Sequence, residues 1–169
     1  MFTLVIGGAA SGKSEYAEAH ALSLPGSRVY LATMQPSDGE CLTRIEKHRR
    51  QRVGKGFETV ERYTDLTNAP IPEGANVLLE CLGNLLANEL YSPGGGGADA
   101  VLRGVDALLS RCRHLTVVTN EVCSGGADYD ESALFYLREL AHINRALAAQ
   151  ADRVVEVVCG LPHFWKGGP

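Results

Sequence analysis

The segment Gly7-Gly8-Ala9-Ala10-Ser11-Gly12-Lys13-Ser14 decides how the rest of this sequence is interpreted. It matches the pattern G-x-x-x-x-G-K-[ST] at every fixed position. A short apolar run, residues 2–6, precedes it, and a helix-like run, residues 15–22, follows it. In this strand–loop–helix context the pattern is typical of a phosphate-binding loop, or P-loop.

The residue types of this loop explain its chemistry. Glycine lets the backbone wrap closely around a phosphate and point its N–H groups at it. The helix after the loop directs the positive end of its dipole at the same anion. Lys13 supplies a charge for the outer phosphates, and the Ser14 hydroxyl is a ligand for Mg²⁺. The segment therefore predicts a nucleoside triphosphate site, but it does not identify the base or the fate of the phosphates.

Composition narrows the class of protein. The chain has 169 residues, of which 45% are hydrophobic and 21% are charged, so we expect a single domain over residues 1–169. A net charge of −4 gives no general attraction to nucleic acid or to an anionic membrane. The five cysteines are widely spaced and form no C-x-x-C pair, which favours reduced thiols in a cytoplasmic protein. No signal peptide and no membrane-spanning run is recognisable.

Apolar segments alternate with helical patterns along the chain. Five further strands are predicted at 28–33, 57–61, 76–81, 114–120 and 153–159, with helices at 40–52, 82–91, 99–113 and 130–150. Gly160-Leu161-Pro162 follows the last strand, and the chain after it is interpreted as a polar tail. This order predicts an α/β fold with a mainly parallel sheet flanked by helices.

In such a sheet, ligands bind at the carboxyl ends of the strands. Ala32, Thr33 and Met34 follow one strand, and Asn120 and Glu121 end another, so we expect them near the site. The small-residue loop 122–129 comes next and is long enough to cover a substrate.

Glu80 ends the buried-strand pattern 76–81. A carboxylate at this position in a P-loop protein typically holds Mg²⁺ through water, opposite the hydroxyl of the loop. The plainer alternative is a charge just past the strand end, in contact with solvent. We favour Glu80, together with Ser14, as the metal side of the site.

The helix predicted over 40–52 has an unusual composition. Arg44, His48 and Arg52 recur four residues apart and therefore share one face, while Leu42 and Ile45 mark an apolar side. Such a helix is either a solvated basic surface or an arm that brings positive charge and an imidazole to a bound nucleotide. Spacing alone leaves both possibilities open.

Taken together, the motifs resemble those of the bifunctional adenosylcobinamide kinase/adenosylcobinamide-phosphate guanylyltransferases of cobalamin assembly. The resemblance covers nearly the whole chain, and Arg44-Ile45-Glu46-Lys47-His48-Arg49 is its most selective part. The other matching segments are Leu4–Ser14, Tyr30–Thr33, Leu78–Leu82 with Asn88, Val118–Val122, Asn144–Ala148, Ala151–Val154 and Gly160–Pro162.

The resemblance implies a P-loop, RecA-like fold, a homotrimer, and two reactions. A triphosphate, GTP or ATP, phosphorylates adenosylcobinamide with Mg²⁺ and Lys13; His48 then takes GMP from GTP and passes it to the phosphorylated corrinoid. The nucleotide contacts that it implies are Gly7, Gly8, Ala9, Ala10, Ser11, Gly12, Lys13, Ser14, Ala32, Thr33, Met34, Arg49, Arg50, Gln51, Arg52, Glu61 and Glu80.

Two other functions are open to a chain with this loop. One is a P-loop small-molecule kinase that uses the basic helix as a lid and forms no covalent adduct. The other is a P-loop switch or motor subunit that uses the helix to bind a partner or nucleic acid. The negative net charge and the lack of a second domain weigh against the latter.

Overall fold

The structure is a computed structural model that describes residues 1–37, 39–122 and 128–168, and only the backbone of residues 40 and 51. Most of the predicted covering loop 122–129, including Cys123, therefore lies outside the described residues. The cysteines at 41, 81, 112 and 159 are in no disulfide, as predicted.

Across the described residues the strands form one seven-stranded sheet in the order β3-β2-β4-β5-β1-β6-β7. Pairing is parallel from β3 to β6, and β7 is antiparallel. The strands are β1 (Phe2–Gly7), β2 (Arg28–Ala32), β3 (Phe57–Glu61), β4 (Asn76–Glu80), β5 (His114–Asn120), β6 (Arg153–Val158) and β7 (Leu161–Lys166). The helices are α1 (Lys13–Ser23), α2 (Gly39–Arg52), α3 (Leu82–Tyr91), α4 (Gly97–Arg111) and α5 (Glu131–Gln150).

Helices cover both faces of this sheet, as the α/β prediction requires. On one face α1 packs through Ala17 and Ala21 on a layer that includes Val5 and Val118. On the other face the apolar sides of α3, α4 and α5 pack on the neighbouring strand residues, such as Leu4 and Val117. Successive side chains of a strand point to opposite faces, so strands buried on both sides are apolar throughout.

The long helix α5 begins where its capping residue predicts. The Asp130 carboxylate accepts a hydrogen bond of 2.7 Å from the Ala133 N–H, which satisfies one of the unpaired N–H groups of the first turn. The helix runs to Gln150, in agreement with the sequence pattern.

The interpretation of the chain after Pro162 as a polar tail is wrong. Leu161–Lys166 forms β7, which pairs with β6 through a tight hairpin at Cys159 and Gly160. Both turn residues have positive φ, 51° and 78°, which suits the right-handed twist of a two-residue hairpin. An edge strand accepts Pro162 and leaves Trp165 66% exposed, so it carries no alternating pattern for sequence reasoning to detect.

Candidate nucleotide-binding and active site

The P-loop lies at the carboxyl edge of the sheet, between the end of β1 and the first turn of α1. The Lys13 ammonium group donates to the Gly8 carbonyl at 2.9 Å, so its charge stays over the loop. The Gly160 N–H of the β6–β7 turn donates to the Ser11 carbonyl at 2.8 Å and supports the loop from outside. The loop is therefore held in place before any anion binds.

Two glycines of the motif are required by space and backbone conformation. A Cβ on Gly7 would stand 2.5 Å from Ser11 Oγ and 2.7 Å from the Val157 carbonyl oxygen. Gly12 has a φ of +90°, and a Cβ there would lie 3.0 Å from the Gly160 Cα. Any larger residue would displace the loop backbone that faces the phosphates.

The ends of three neighbouring strands bring two acids to the same edge. In the register of the sheet, Ala32 of β2 pairs with Glu61 of β3 on one side and with Glu80 of β4 on the other. Residues in register on parallel strands point to the same face. The small side chain of Ala32 thus leaves room between two carboxylates.

Glu80 is buried and faces the P-loop. The Ser14 hydroxyl donates to its Oε1 atom, and the Tyr30 hydroxyl donates to its Oε2 atom at 3.2 Å. Burial and the neighbouring Glu80 charge both raise the pKa of Tyr30, which keeps its hydroxyl protonated as a donor. The alternative of a solvated charge past the strand end is wrong for Glu80.

The pair Ser14 and Glu80 fits the chemistry of a magnesium site. Both groups are oxygen donors, and no lysine or arginine of the described residues forms an ion pair with Glu80. The described residues contain no cluster of three acidic, histidine or cysteine side chains able to hold a metal alone. This is expected for Mg²⁺, which takes one or two protein ligands and completes its shell with substrate phosphates and water.

Helix α2 forms the opposite wall of the cleft. The cleft has a volume of about 710 Å³, and His48 lines it together with Lys13, Ser14 and Glu80. Arg44, Lys47, Arg49 and Arg52 of the same helix also line it. The structure therefore supports the arm over the solvated basic surface, because the imidazole and the P-loop face one space.

The apolar side of α2 faces the cleft. Leu42 and Ile45 line the cleft and do not pack into the core, and Leu42 is 54% exposed. The contacts that hold the helix lie near its C-terminal end instead. Arg49 forms an ion pair with Glu61, and this hydrogen bond is the main reason why the pKa of the Glu61 carboxyl is lowered.

Arg52 is the buried end of this arm. Its guanidinium lies over the Tyr30 ring, with 3.5 Å between Cζ and the ring centroid, and the residue is 8% exposed. A desolvated cation–π contact contributes about 2 kcal/mol. Within the described part of the chain the Nε and Nη1 atoms of Arg52 have no hydrogen-bond partner. Buried N–H groups without partners cost about 1–3 kcal/mol, so they suit an anion that completes them.

Most residues expected at the site line this cleft, and a few do not. Gly7 and Gly8 form the entry to the loop without lining the cleft, and the buried Thr33 hydroxyl donates to the Cys81 carbonyl at 2.8 Å. Arg50 faces away and pairs with Glu46 at 3.0 Å. The side chain of Gln51 lies outside the described part. The lining residues from the predicted set are Ala9, Ala10, Ser11, Gly12, Lys13, Ser14, Ala32, Met34, His48, Arg49, Arg52, Glu61 and Glu80, with Asn120 and Glu121 beside them.

The lining residues that were not predicted as site residues include Tyr30, Tyr63 and Asn84. A signal existed for Tyr30, since it precedes Ala32 by two positions and therefore shares its face of the sheet. Tyr63 follows β3 and donates to Glu61 at 3.0 Å, a contact that needs the tertiary structure.

A P-loop at the edge of a parallel sheet, an acid opposite its hydroxyl, and a basic helix over both define a P-loop nucleotide-binding protein. The comparisons agree and are more specific. The family model described as cobinamide kinase / cobinamide phosphate guanyltransferase (CobU) matches residues 3–164. The chain therefore belongs to this family.

Similar proteins carry the corresponding names. The bifunctional adenosylcobalamin biosynthesis protein CobU of Escherichia coli is 35% identical, over 95% of this chain and 97% of that protein. The bifunctional adenosylcobalamin biosynthesis protein CobP of Pseudomonas aeruginosa is 32% identical, over 100% of this chain and 99% of that protein.

Solved structures support the fold alone. A protein from Pyrococcus horikoshii OT3 has a TM-score of 0.57 at 11% identity, over 99% of this chain and 87% of that chain. An ATPase of a bacterial type III secretion system has a TM-score of 0.54 at 10% identity, over 96% of this chain and 56% of that chain. In the part of the chain that is described, no helix is both long and apolar enough to cross a bilayer.

The space around the loop glycines predicts a contrast between two alanine variants. Gly7→Ala should lower the free energy of unfolding by about 1–3 kcal/mol, because its Cβ has no room, and should weaken nucleotide binding. Gly8→Ala is the matched control, since nothing lies within 4 Å of a Cβ at that position. Urea unfolding and calorimetric titration with GTP measure both effects. Equal stability of the two variants would contradict this account of the loop.

Proposed function

We propose that the chain phosphorylates adenosylcobinamide and then transfers GMP from GTP to the product, through a covalent adduct on His48. The observation that carries this proposal is that His48 and the P-loop line one cleft. Membership of the family supports both activities. One nucleotide site then serves two reactions that differ in which phosphorus is attacked.

In guanylyl transfer, the neutral imidazole of His48 attacks the α-phosphorus of GTP. A nitrogen–phosphorus bond forms, the bond from the α-phosphorus to the bridging oxygen breaks, and pyrophosphate leaves. A phosphate oxygen of adenosylcobinamide phosphate then attacks the same phosphorus and releases the imidazole. Nucleophilic catalysis divides one difficult displacement into two easier ones.

The charges around His48 suit this step. Arg44 and Arg52 lie one helical turn before and after His48 on the same face, and all three line the cleft. Positive groups held where negative charge develops stabilise the transition state. The N–H groups of Arg52 that lack a partner are suited to donate hydrogen bonds to a phosphate oxygen.

The adduct gives a direct test. After incubation with GTP labelled at the α-phosphate and denaturation, we expect acid-labile, alkali-stable label on the protein. His48→Ala should remove it completely, because no nucleophile remains. His142→Ala, on the exposed side of α5, is the matched control and should keep the label. Label that persists in His48→Ala would contradict the assignment, and absence of label from an active wild-type kinase would support a P-loop kinase without transferase activity.

In phosphoryl transfer, the hydroxyl oxygen of the aminopropanol arm of the corrinoid attacks the γ-phosphorus. The bond from that phosphorus to the bridging oxygen breaks, a nucleoside diphosphate leaves, and the hydroxyl proton is released to solvent. Lys13 and the loop N–H groups hold the phosphates in line. Ser14 and Glu80 would hold Mg²⁺, which would supply charge neutralisation on the transferring group.

The two reactions should separate in a pair of variants. Lys13→Ala is expected to lower the rate of transfer from γ-labelled GTP or ATP to adenosylcobinamide about 10²-fold or more. The reason is that the variant lacks the positive charge that stabilises the outer phosphates. His48→Ala should keep this transfer, and chelation of divalent cations with EDTA should abolish it. Loss of phosphoryl transfer in His48→Ala would contradict the division of roles.

We also propose that the chain assembles as a homotrimer, which the family resemblance implies. The β6–β7 hairpin supports an interface, since Val158, Leu161 and Trp165 are 53%, 72% and 66% exposed at the sheet edge. Sedimentation velocity should give three times the mass of one chain. A single species with the mass of one chain would contradict the proposal.

A further inference from the structure

We propose that Tyr30 is a positioning residue for both reactions: its hydroxyl orients Glu80 beside the P-loop, and its ring anchors Arg52 at the base of the helix that carries His48. This inference rests on the proposed function. Tyr30 is 3% exposed and stands on β2, between the strands that end in Glu61 and Glu80.

The first half of the argument concerns the carboxylate. Glu80 Oε1 accepts the Ser14 hydroxyl and Oε2 accepts the Tyr30 hydroxyl, so each oxygen has a donor and the plane of the group is set. A carboxylate held through only one of its oxygens could rotate about that contact. Its oxygens would then no longer face the position expected for Mg²⁺. Outer contacts of this kind orient the groups around a metal.

The second half concerns the helix. The described side chains of α2 from residue 41 to 50 are exposed or half-buried, whereas Arg52 is buried on the Tyr30 ring. His48 and Arg52 are four residues apart and share a face, so the Tyr30–Arg52 contact lies one turn from the imidazole. Lys55, just after the helix, pairs with the buried Glu18 of α1 and holds the following turn to the body. The direction of the arm is therefore set at this end.

Both contacts are made by the Tyr30 side chain, and substitutions at this position can separate them. Phenylalanine at position 30 keeps the ring under Arg52 but cannot donate to Glu80. Leucine keeps an apolar side chain but removes both contacts. A residue that only fills the core would respond to side-chain size alone. Phenylalanine, which is nearly the size of tyrosine, would then leave both reactions unchanged, and leucine would slow both.

The experiment compares wild type, Tyr30→Phe, Tyr30→Leu and Tyr16→Phe. The last is a matched control, because the half-buried Tyr16 ring packs against the same core layer and its hydroxyl makes no hydrogen bond within the described residues. Phosphoryl transfer, the rate of adduct formation on His48, and binding of Mn²⁺ with guanosine 5′-(β,γ-imido)triphosphate, followed by electron paramagnetic resonance, are measured for each.

We expect Tyr30→Phe to weaken Mn²⁺ binding and to slow phosphoryl transfer about tenfold, as for the loss of one hydrogen bond to a carboxylate. Its adduct should form at close to the wild-type rate once Mn²⁺ or Mg²⁺ is saturating. Tyr30→Leu should in addition lower the rate of adduct formation about tenfold or more. A higher rate of adduct formation in Tyr30→Phe than in Tyr30→Leu would identify the ring as the anchor of Arg52.

Three results would overturn the inference: no change in Tyr30→Phe, whatever the result for Tyr30→Leu; equal losses of both reactions in the two variants; or losses matched by Tyr16→Phe. If Tyr30→Leu does not fold, Arg52→Lys replaces it, since lysine keeps the charge but lacks the planar group that stacks on the ring. An unchanged adduct rate in Arg52→Lys would equally overturn it. Absence of an adduct in wild type would instead refute the proposed function. Failure of the proposed function is therefore distinguishable from failure of the inference about Tyr30.

Discussion

The hydrogen bond between Ser14 and Glu80 is the contact on which the site depends. It joins the first turn of α1 to the end of β4, two elements that lie 66 positions apart in the chain. In the strand order, β4 lies next to β5 and two strands from β1, and β1 leads into the P-loop and α1. The sheet therefore sets the distance between the end of β4 and the start of α1. The carboxylate then extends the connection through Tyr30 to Arg52, and so reaches the helix that carries His48.

This connection explains how one nucleotide site could serve two reactions. In the proposed function, the P-loop and its lysine bind the outer phosphates, whereas His48 on α2 attacks the innermost one. Although the chain has a net charge of −4, cationic groups of the P-loop and of α2 converge on the cleft: Lys13, Arg44, Lys47, Arg49 and Arg52. Local charge therefore governs anion binding here, and the global balance does not.

Local signals in the sequence predicted the central part of the fold. The P-loop, the apolar run that ends in Glu80 and the Asp130 cap each depend on residues close in sequence, and each is found where expected. β7 was missed because an exposed edge strand with a proline needs no alternation. The apolar side of α2 was recognised, but periodicity does not identify what a helix face contacts, and Leu42 lines the cleft. The roles of Tyr30 and Arg52 depend on strand neighbours, which composition and spacing leave undetermined.

The most direct measurement is a crystal structure of the chain with Mg²⁺ and guanosine 5′-(α,β-methylene)triphosphate, a GTP analogue that cannot lose pyrophosphate. With the outer phosphates in the P-loop, the account predicts a His48 ring nitrogen about 3–3.5 Å from the α-phosphorus and in line with the bond that would break. A fully bound triphosphate with the His48 ring out of contact with the α-phosphorus, and another group in that position, would contradict it.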